Sequence, residues 1–158
     1  MNYSFITIWR IEAPIQAVCD AICQSLSWPH WWDNVISVEE IAPGDSRGIG
    51  SVRRYTWRGH LPYRLTFDIC VIHFEPLATI EGIASGDVEG QGRWSFAAQG
   101  PVTIIRYEWQ VRTTRAWMNL LALFAKPIIK WNHNAVMRQG GMALAQKLNA
   151  RLVEIAHS

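Results

Sequence analysis

Charge is scarce in this sequence, and so are the spaced motifs that announce chemistry. Asp, Glu, Lys and Arg make up 18% of the 158 residues against 49% hydrophobic ones, which excludes a disordered tail or a heavily solvated helical rod. The 15 Lys and Arg and 13 Asp and Glu leave a net charge of +2, too balanced for a domain built around a polyanion, so nucleic acid is not an expected partner. Cys19, Cys23 and Cys70 are an odd number with no Cys-x-x-Cys pair. His30, His60, His73 and His133 lack the short paired spacings of zinc ligands, and neither a metal nor a cofactor is expected. The serine-hydrolase elbow, the P-loop and the dinucleotide glycine fingerprint are all missing, which removes support for those chemistries. The opening residues carry no basic, apolar or cleavage-site signature, so the expectation is a cytoplasmic protein with reduced thiols. The most apolar stretch, 116–129, is interrupted by Asn119, Lys126 and Pro127 and falls short of the roughly 20 apolar residues of a membrane span. Stable membrane insertion is not expected.

What the chain has in excess is tryptophan, nine in all. Its length suits one domain over 1–158 that buries roughly 68–70% of its unfolded surface. Phe5, Thr7, Trp9 and Ile11 alternate with Ile6, Ile8 and Arg10, predicting a strand over 3–12. Pro14 opens a helix to about 25 on which Ile15, Val18, Cys19 and Ile22 recur at helical spacing, with the cysteines as small apolar fillers. A short turn at 27–32 precedes strand-like 35–38. Strands follow at roughly 50–58, 62–74, 78–85, 90–98 and 102–113, separated by Gly, Pro and Asp turns. The pattern predicts an α+β fold with six to seven strands in an antiparallel meander, one face dry and the other wet. Beyond 115 the period becomes helical to the end of the chain, with Pro127 kinking or dividing it. His133, Met137, Gly141, Leu144, Leu148, Leu152 and Ile155 form one stripe whose partner must be the dry face of the meander.

This order of elements resembles the helix-grip fold. The residues that carry the resemblance are Ile11 with Ala13-Pro14, Trp28-Pro29-His30-Trp31-Trp32, Gly48-Ile49-Gly50, Leu61-Pro62-Tyr63, Ser85-Gly86-Asp87 with Gly90-Gln91-Gly92, and Asn132-His133 with Met137. Over its whole length the chain resembles the SRPBCC superfamily, START-like proteins, and in particular the polyketide cyclase/dehydrase-type branch. The resemblance implies a curved sheet wrapped around a long C-terminal helix, two short helices after the first strand, and an internal cavity for a hydrophobic small molecule such as a lipid or polyketide. It implies no common reaction.

Strand alternation points Leu65, Phe67, Ile69, Val71, Trp94, Phe96, Tyr107 and Trp109 inward, and large rings with polar tips suit a cavity wall as well as a core. With His133, Met137 and Gly141 from the helix stripe, Phe67, Ile69, Trp94, Phe96, Tyr107 and Trp109 are the expected ligand-binding set. The turn with Trp28, Trp31 and Trp32 is expected at the cavity mouth, opposite a lip of Trp117, Leu120, Leu121 and Phe124. The leading function is a carrier or sensor of an apolar small molecule. The alternative is a cyclase, dehydrase or aromatase-type enzyme with His133 as acid or base and Tyr107 or Arg54 holding an enolate or carbonyl oxygen. A third reading is a membrane or protein interaction module working through the Trp-rich lip. Asp87 reads as a turn aspartate bonding its own backbone, and the arginines at 53, 54, 58 and 64 as a solvated face with inward exceptions.

Overall fold

The computed structural model describes residues 2–158, apart from the side chains of 121–123, so the expectation for Leu121 lies outside the described residues. Eleven segments follow one another: β1 (Asn2–Glu12), α1 (Ile15–Cys23), a 3-10 turn (Ser25–His30), β2 (Val35–Ala42), β3 (Val52–Arg58), β4 (Arg64–Glu75), β5 (Thr79–Gly86), β6 (Val88–Gln99), β7 (Val102–Thr113), α2 (Ala116–Lys147) and β8 (Arg151–His157). The strands form one antiparallel sheet in the order β2-β3-β4-β5-β6-β7-β1-β8. It is an α+β helix-grip architecture, with α2 lying along the concave face. The sheet has eight strands rather than six or seven.

β1 buries alternate residues, and its register sets Phe5 opposite Trp109 and Thr7 opposite Tyr107, so two aromatic rows share the concave face. α1 packs its buried Val18, Cys19, Ala21 and Ile22 toward β6 and β7. The 3-10 turn drives Trp28 and Trp32 beneath the sheet, where Trp32 is fully buried and donates its indole N–H to the Val136 carbonyl at 3.2 Å. Burying one such ring is worth about 3 kcal/mol. Gly140 of α2 sits against that ring: a Cβ there would lie 2.3 Å from Trp32.

Two expectations for the chain's end are corrected. α2 is a single helix that continues through Pro127, and it stops at Lys147 instead of running on. Asn149 adopts a left-handed conformation (φ 51°). The N–H groups of Asn149 and Ala150 bond the carbonyls of Gln146 and Ala145. This helix stop satisfies the terminal carbonyls and turns the chain back. Leu152 and Ile155 therefore belong to β8, which pairs with β1.

Candidate functional site

The concave face and α2 enclose two adjoining chambers. The outer one, about 280 Å³, lies under β3–β7 between the end of α1 and the β2–β3 loop, and is lined by Ile22, Cys23, Trp28, Arg53, Tyr55, Ile69, Val71 and Ile80 among others. The inner one, about 120 Å³, lies under α2 and is lined by Tyr3, Phe5, Trp32, Tyr63, Leu65, Val111, Met118, Ile129, Asn132, His133 and Met137. Trp28, Trp57, Phe67, Trp94, Tyr107 and Trp109 border both. Gly92 makes the space: a Cβ there would stand 2.9 Å from the Trp109 ring and 3.2 Å from the Tyr107 hydroxyl. The outer chamber is near the lower limit for small-molecule sites, roughly 300 Å³.

The walls are aromatic. Trp94 and Tyr107 have ring centroids 4.2 Å apart, Phe67 and Trp109 5.5 Å, and Trp32 and Trp57 4.9 Å. Three charged residues reach the outer chamber: Arg53, Arg47 and Glu81, whose carboxylate pairs with Arg93 at 3.1 Å. Arg53 lies on the same strand face as Tyr55 and Trp57, and its Nη1 donates to the Cys23 carbonyl at 3.1 Å and to Ser25 Oγ at 2.8 Å. Ser25 Oγ also accepts from the Tyr55 hydroxyl at 2.8 Å. Arg53 Nε is buried without a partner. Nη1 of the guanidinium is thus anchored, Nε is enclosed without a hydrogen-bond partner, and the residue as a whole borders the chamber as its one anchored cation. The β2–β3 loop brings Arg47 to the rim, held by Asp45 Oδ1, which accepts from the backbone N–H of Arg47 and Ile49.

The tyrosines and His133 of the two chambers stay neutral. Burial pushes the Tyr107 hydroxyl well above the ordinary tyrosine value, and raises Tyr55 as well. His133 stacks on Phe5 at 4.0 Å with its Nε2 buried and unpartnered; burial first, and then His157, lower its pKa to about 3. Desolvation raises the Cys23 thiol, so it is no nucleophile at neutral pH. No acid–base pair poised near neutrality converges here among the described residues, and they offer no cluster of three metal-ligating side chains.

Of the expected ligand set, Phe67, Ile69, Trp94, Tyr107, Trp109, His133 and Met137 line the chambers. Phe96 is buried but reaches neither chamber. Gly141 is not open to ligand, because the Trp9 indole lies 2.9 Å from where its Cβ would be. Arg54 is corrected outright: it points to the solvent side of the sheet, where Nε pairs with Asp68 at 2.8 Å. Trp28 and Trp32 form an inner wall instead of a mouth, and Trp31 faces an open polar groove of about 900 Å³ outside α2 that shares no residue with the chambers. Trp117 and Phe124 lie on the outer surface of α2, 43% and 83% exposed. Asp87 accepts from the Thr66 N–H and from Arg115 across the fold.

Arg53 was findable from parity alone, since it stands two residues before Tyr55 and four before Trp57. Asn132 has no such signal: its Oδ1 accepts from the His60 N–H at 2.7 Å and pins the β3–β4 loop to α2. Only Gly59 allows that approach, a Cβ there falling 2.3 Å from the Asn132 oxygen.

No family model and no curated protein sequence matches the chain. Solved structures share its fold. The chain is similar to the di-domain ARO/CYC BexL from the BE-7585A biosynthetic pathway (23% identity, TM-score 0.74), covering 95% of this chain and 51% of that one. It thus spans about half the length of that protein. It is also similar to a START superfamily protein from Mycobacterium smegmatis (13%, TM-score 0.75, 93% and 98% of the two chains). A third similar structure is the Zhui aromatase/cyclase from Streptomyces sp. R1128 (11%, TM-score 0.71, 94% of each chain). At these identities the likeness is one of fold.

Proposed function

We propose that this protein binds one hydrophobic, ring-bearing small molecule in the paired chambers, as a carrier or sensor, with a carbonyl or carboxylate oxygen of the ligand held at Arg53. The observation that carries this reading is a largely aromatic enclosure bordered by a guanidinium, Arg53, that Cys23 and Ser25 hold in place. Flat rings gain contact on Trp94, Tyr107 and Trp109, and a desolvated charge-assisted hydrogen bond fixes orientation. The lack of a convergent acid–base pair argues for holding a ligand over transforming it.

The deciding experiment is native mass spectrometry of protein purified from its own host, followed by titration of the recovered molecule. Binding at one site per chain with about micromolar affinity, lost in Trp109→Arg, is the expected result, since a charge buried in an apolar wall costs several kcal/mol. Unchanged binding in a folded Trp109→Arg protein sinks the reading.

A second reading rests on Arg53 as well. Its guanidinium can polarise a carbonyl, and two of the fold's neighbours are named aromatase/cyclase, so a cyclase-type enzyme is the rival. Recovery of the bound molecule chemically changed after incubation with the protein would favour it.

A further inference from the structure

The first half of α2 carries an apolar stripe that the described residues leave largely exposed. Trp117, Leu120, Phe124, Ile128 and Trp131 recur at steps of three and four, hence on one face, and they are 43%, 80%, 83%, 50% and 56% exposed. A contiguous exposed run of this kind marks an interaction surface. It spans about 21 Å of helix. The β3–β4 loop flanks it, with Tyr63 against Trp117 at 5.4 Å and His60 against Trp131 at 5.5 Å.

The charge carried by α2 itself has one sign. α2 contains Lys126, Lys130, Arg138 and Lys147 and no Asp or Glu. Arg58 and Arg64, at the foot of the flanking loop, stand directly opposite each other across β3 and β4, a like-charge pairing that costs stability. Elsewhere the arginines on the open sheet surface are paired: Arg10 with Glu154, Arg54 with Asp68, Arg93 with Glu81, Arg106 with Glu108, Arg112 with Glu89 and Arg151 with Glu12. Among the described residues Arg58, Arg64, Lys126 and Lys130 make no ion pair. Of these, Arg58 and Arg64 belong to the flanking loop and Lys130 lies about a quarter-turn round the helix from the stripe, whereas Lys126 faces β1, over the Tyr3 ring at 5.8 Å.

We propose that this face docks the protein on an anionic lipid bilayer, with Leu120 and Phe124 entering the headgroup region and Lys130 with the loop's Arg58 and Arg64 meeting lipid phosphates. Aromatic and aliphatic side chains along a helix with cationic flanks are the composition of an interfacial helix. A second copy of the same face is a poor occupant, because α2 has no acidic residue to meet the cations of its twin. Docking also gives the ligand a path. A groove of about 350 Å³ between the loop and α2, lined by Leu61, Pro62, Trp117 and Ile128, shares Tyr63, Met118 and Ile129 with the inner chamber. That path rests on the ligand reading above; docking itself does not.

Vesicle co-sedimentation tests it without any ligand. The protein should sediment with phosphatidylcholine vesicles containing roughly one-third phosphatidylglycerol, weaken as salt is raised, and bind pure phosphatidylcholine at least about tenfold less tightly. Leu120→Asp with Phe124→Asp should lower the affinity at least about tenfold, as should Lys130→Glu with Arg64→Glu. These side chains are exposed, and an unchanged melting temperature confirms that the variants fold. Failure to bind anionic vesicles, or equal binding by the Leu120/Phe124 variant, overturns the proposal. So does concentration-dependent dimerisation abolished by that variant, which would make the occupant a second copy. Failure here with intact ligand binding in solution would leave the cavity reading standing.

Discussion

At the scale of single residues, one step along β3 separates an interior cation from a surface one. Arg53 and Arg54 are adjacent, yet the first meets Ser25 and the chamber while the second meets Asp68 in solvent. Arg53→Met should lower affinity for a carboxylate-bearing aromatic probe by roughly 10- to 150-fold, the worth of a charge-assisted hydrogen bond, whereas Arg54→Met should stay within about threefold. Fluorescence titration of both variants measures this, and equal losses would remove Arg53 from the site. His133 makes a different prediction. Its folded pKa of about 3 lies below the unfolded value of 6.5, so acid drives a proton onto the unfolded chain that the folded one refuses. The stability that follows from this is fully present above pH 6.5 and is lost as pH falls toward 3. Between pH 8 and pH 5 it amounts to about 2 kcal/mol. His157, also shifted downward but more exposed, acts with the same sign and a smaller weight. Urea denaturation at the two pH values should show a smaller loss for His133→Gln than for the parent; equal losses would mean that His133 titrates normally.

At the scale of elements, the strands of the meander were legible because their alternation is strict, and β1 and β4 to β7 fall within a few residues of the expected spans. β8 was not, because Leu148, Leu152 and Ile155 continue helical spacing past the point where the helix ends. What breaks the helix is the backbone of Asn149, and a lone Asn among Leu and Ala is a weak written sign of a left-handed turn. Asn149→Gly should be neutral or slightly stabilising and Asn149→Val destabilising by about 1–2 kcal/mol, read as melting temperature. The pair of glycines in α2 was legible as an anomaly without its cause: Gly140 and Gly141 admit Trp32 and Trp9. Gly140→Ala, which ought to help an isolated helix, should here cost about 1–3 kcal/mol, since the ring it meets is fully buried. The candidate site was half legible for a related reason. Alternation names the wall residues of each strand, but the position of Trp28 and Trp32 within the cavity, and the latch from Asn132 to the β3–β4 loop, come from α2 crossing the sheet, a relation between segments far apart in the chain.

At the scale of the whole molecule, the fold survives at identities of 11–23% to its neighbours because it is specified by the order of alternating and helical patterns, which many residue choices satisfy. The placement of β1 has a further consequence. Its two neighbours in the sheet, β7 and β8, are the last two strands in the chain, with Phe5 opposite Trp109 and Trp9 opposite Ile155. Until β7 and β8 have been synthesised β1 is therefore an orphan: both of its edges stay bare, and its buried row of Tyr3, Phe5, Trp9 and Ile11 has no lasting partner. Such non-local pairing delays the rate-limiting step, and refolding from denaturant should take milliseconds to seconds, slower than a helical bundle of this size. Before that closure there is no enclosure at all, so a nascent chain has a sticky β1 and nowhere to keep a ligand. A holdase that recognises extended hydrophobic segments would find its target in β1 during synthesis, and would lose it when β7 and β8 arrive.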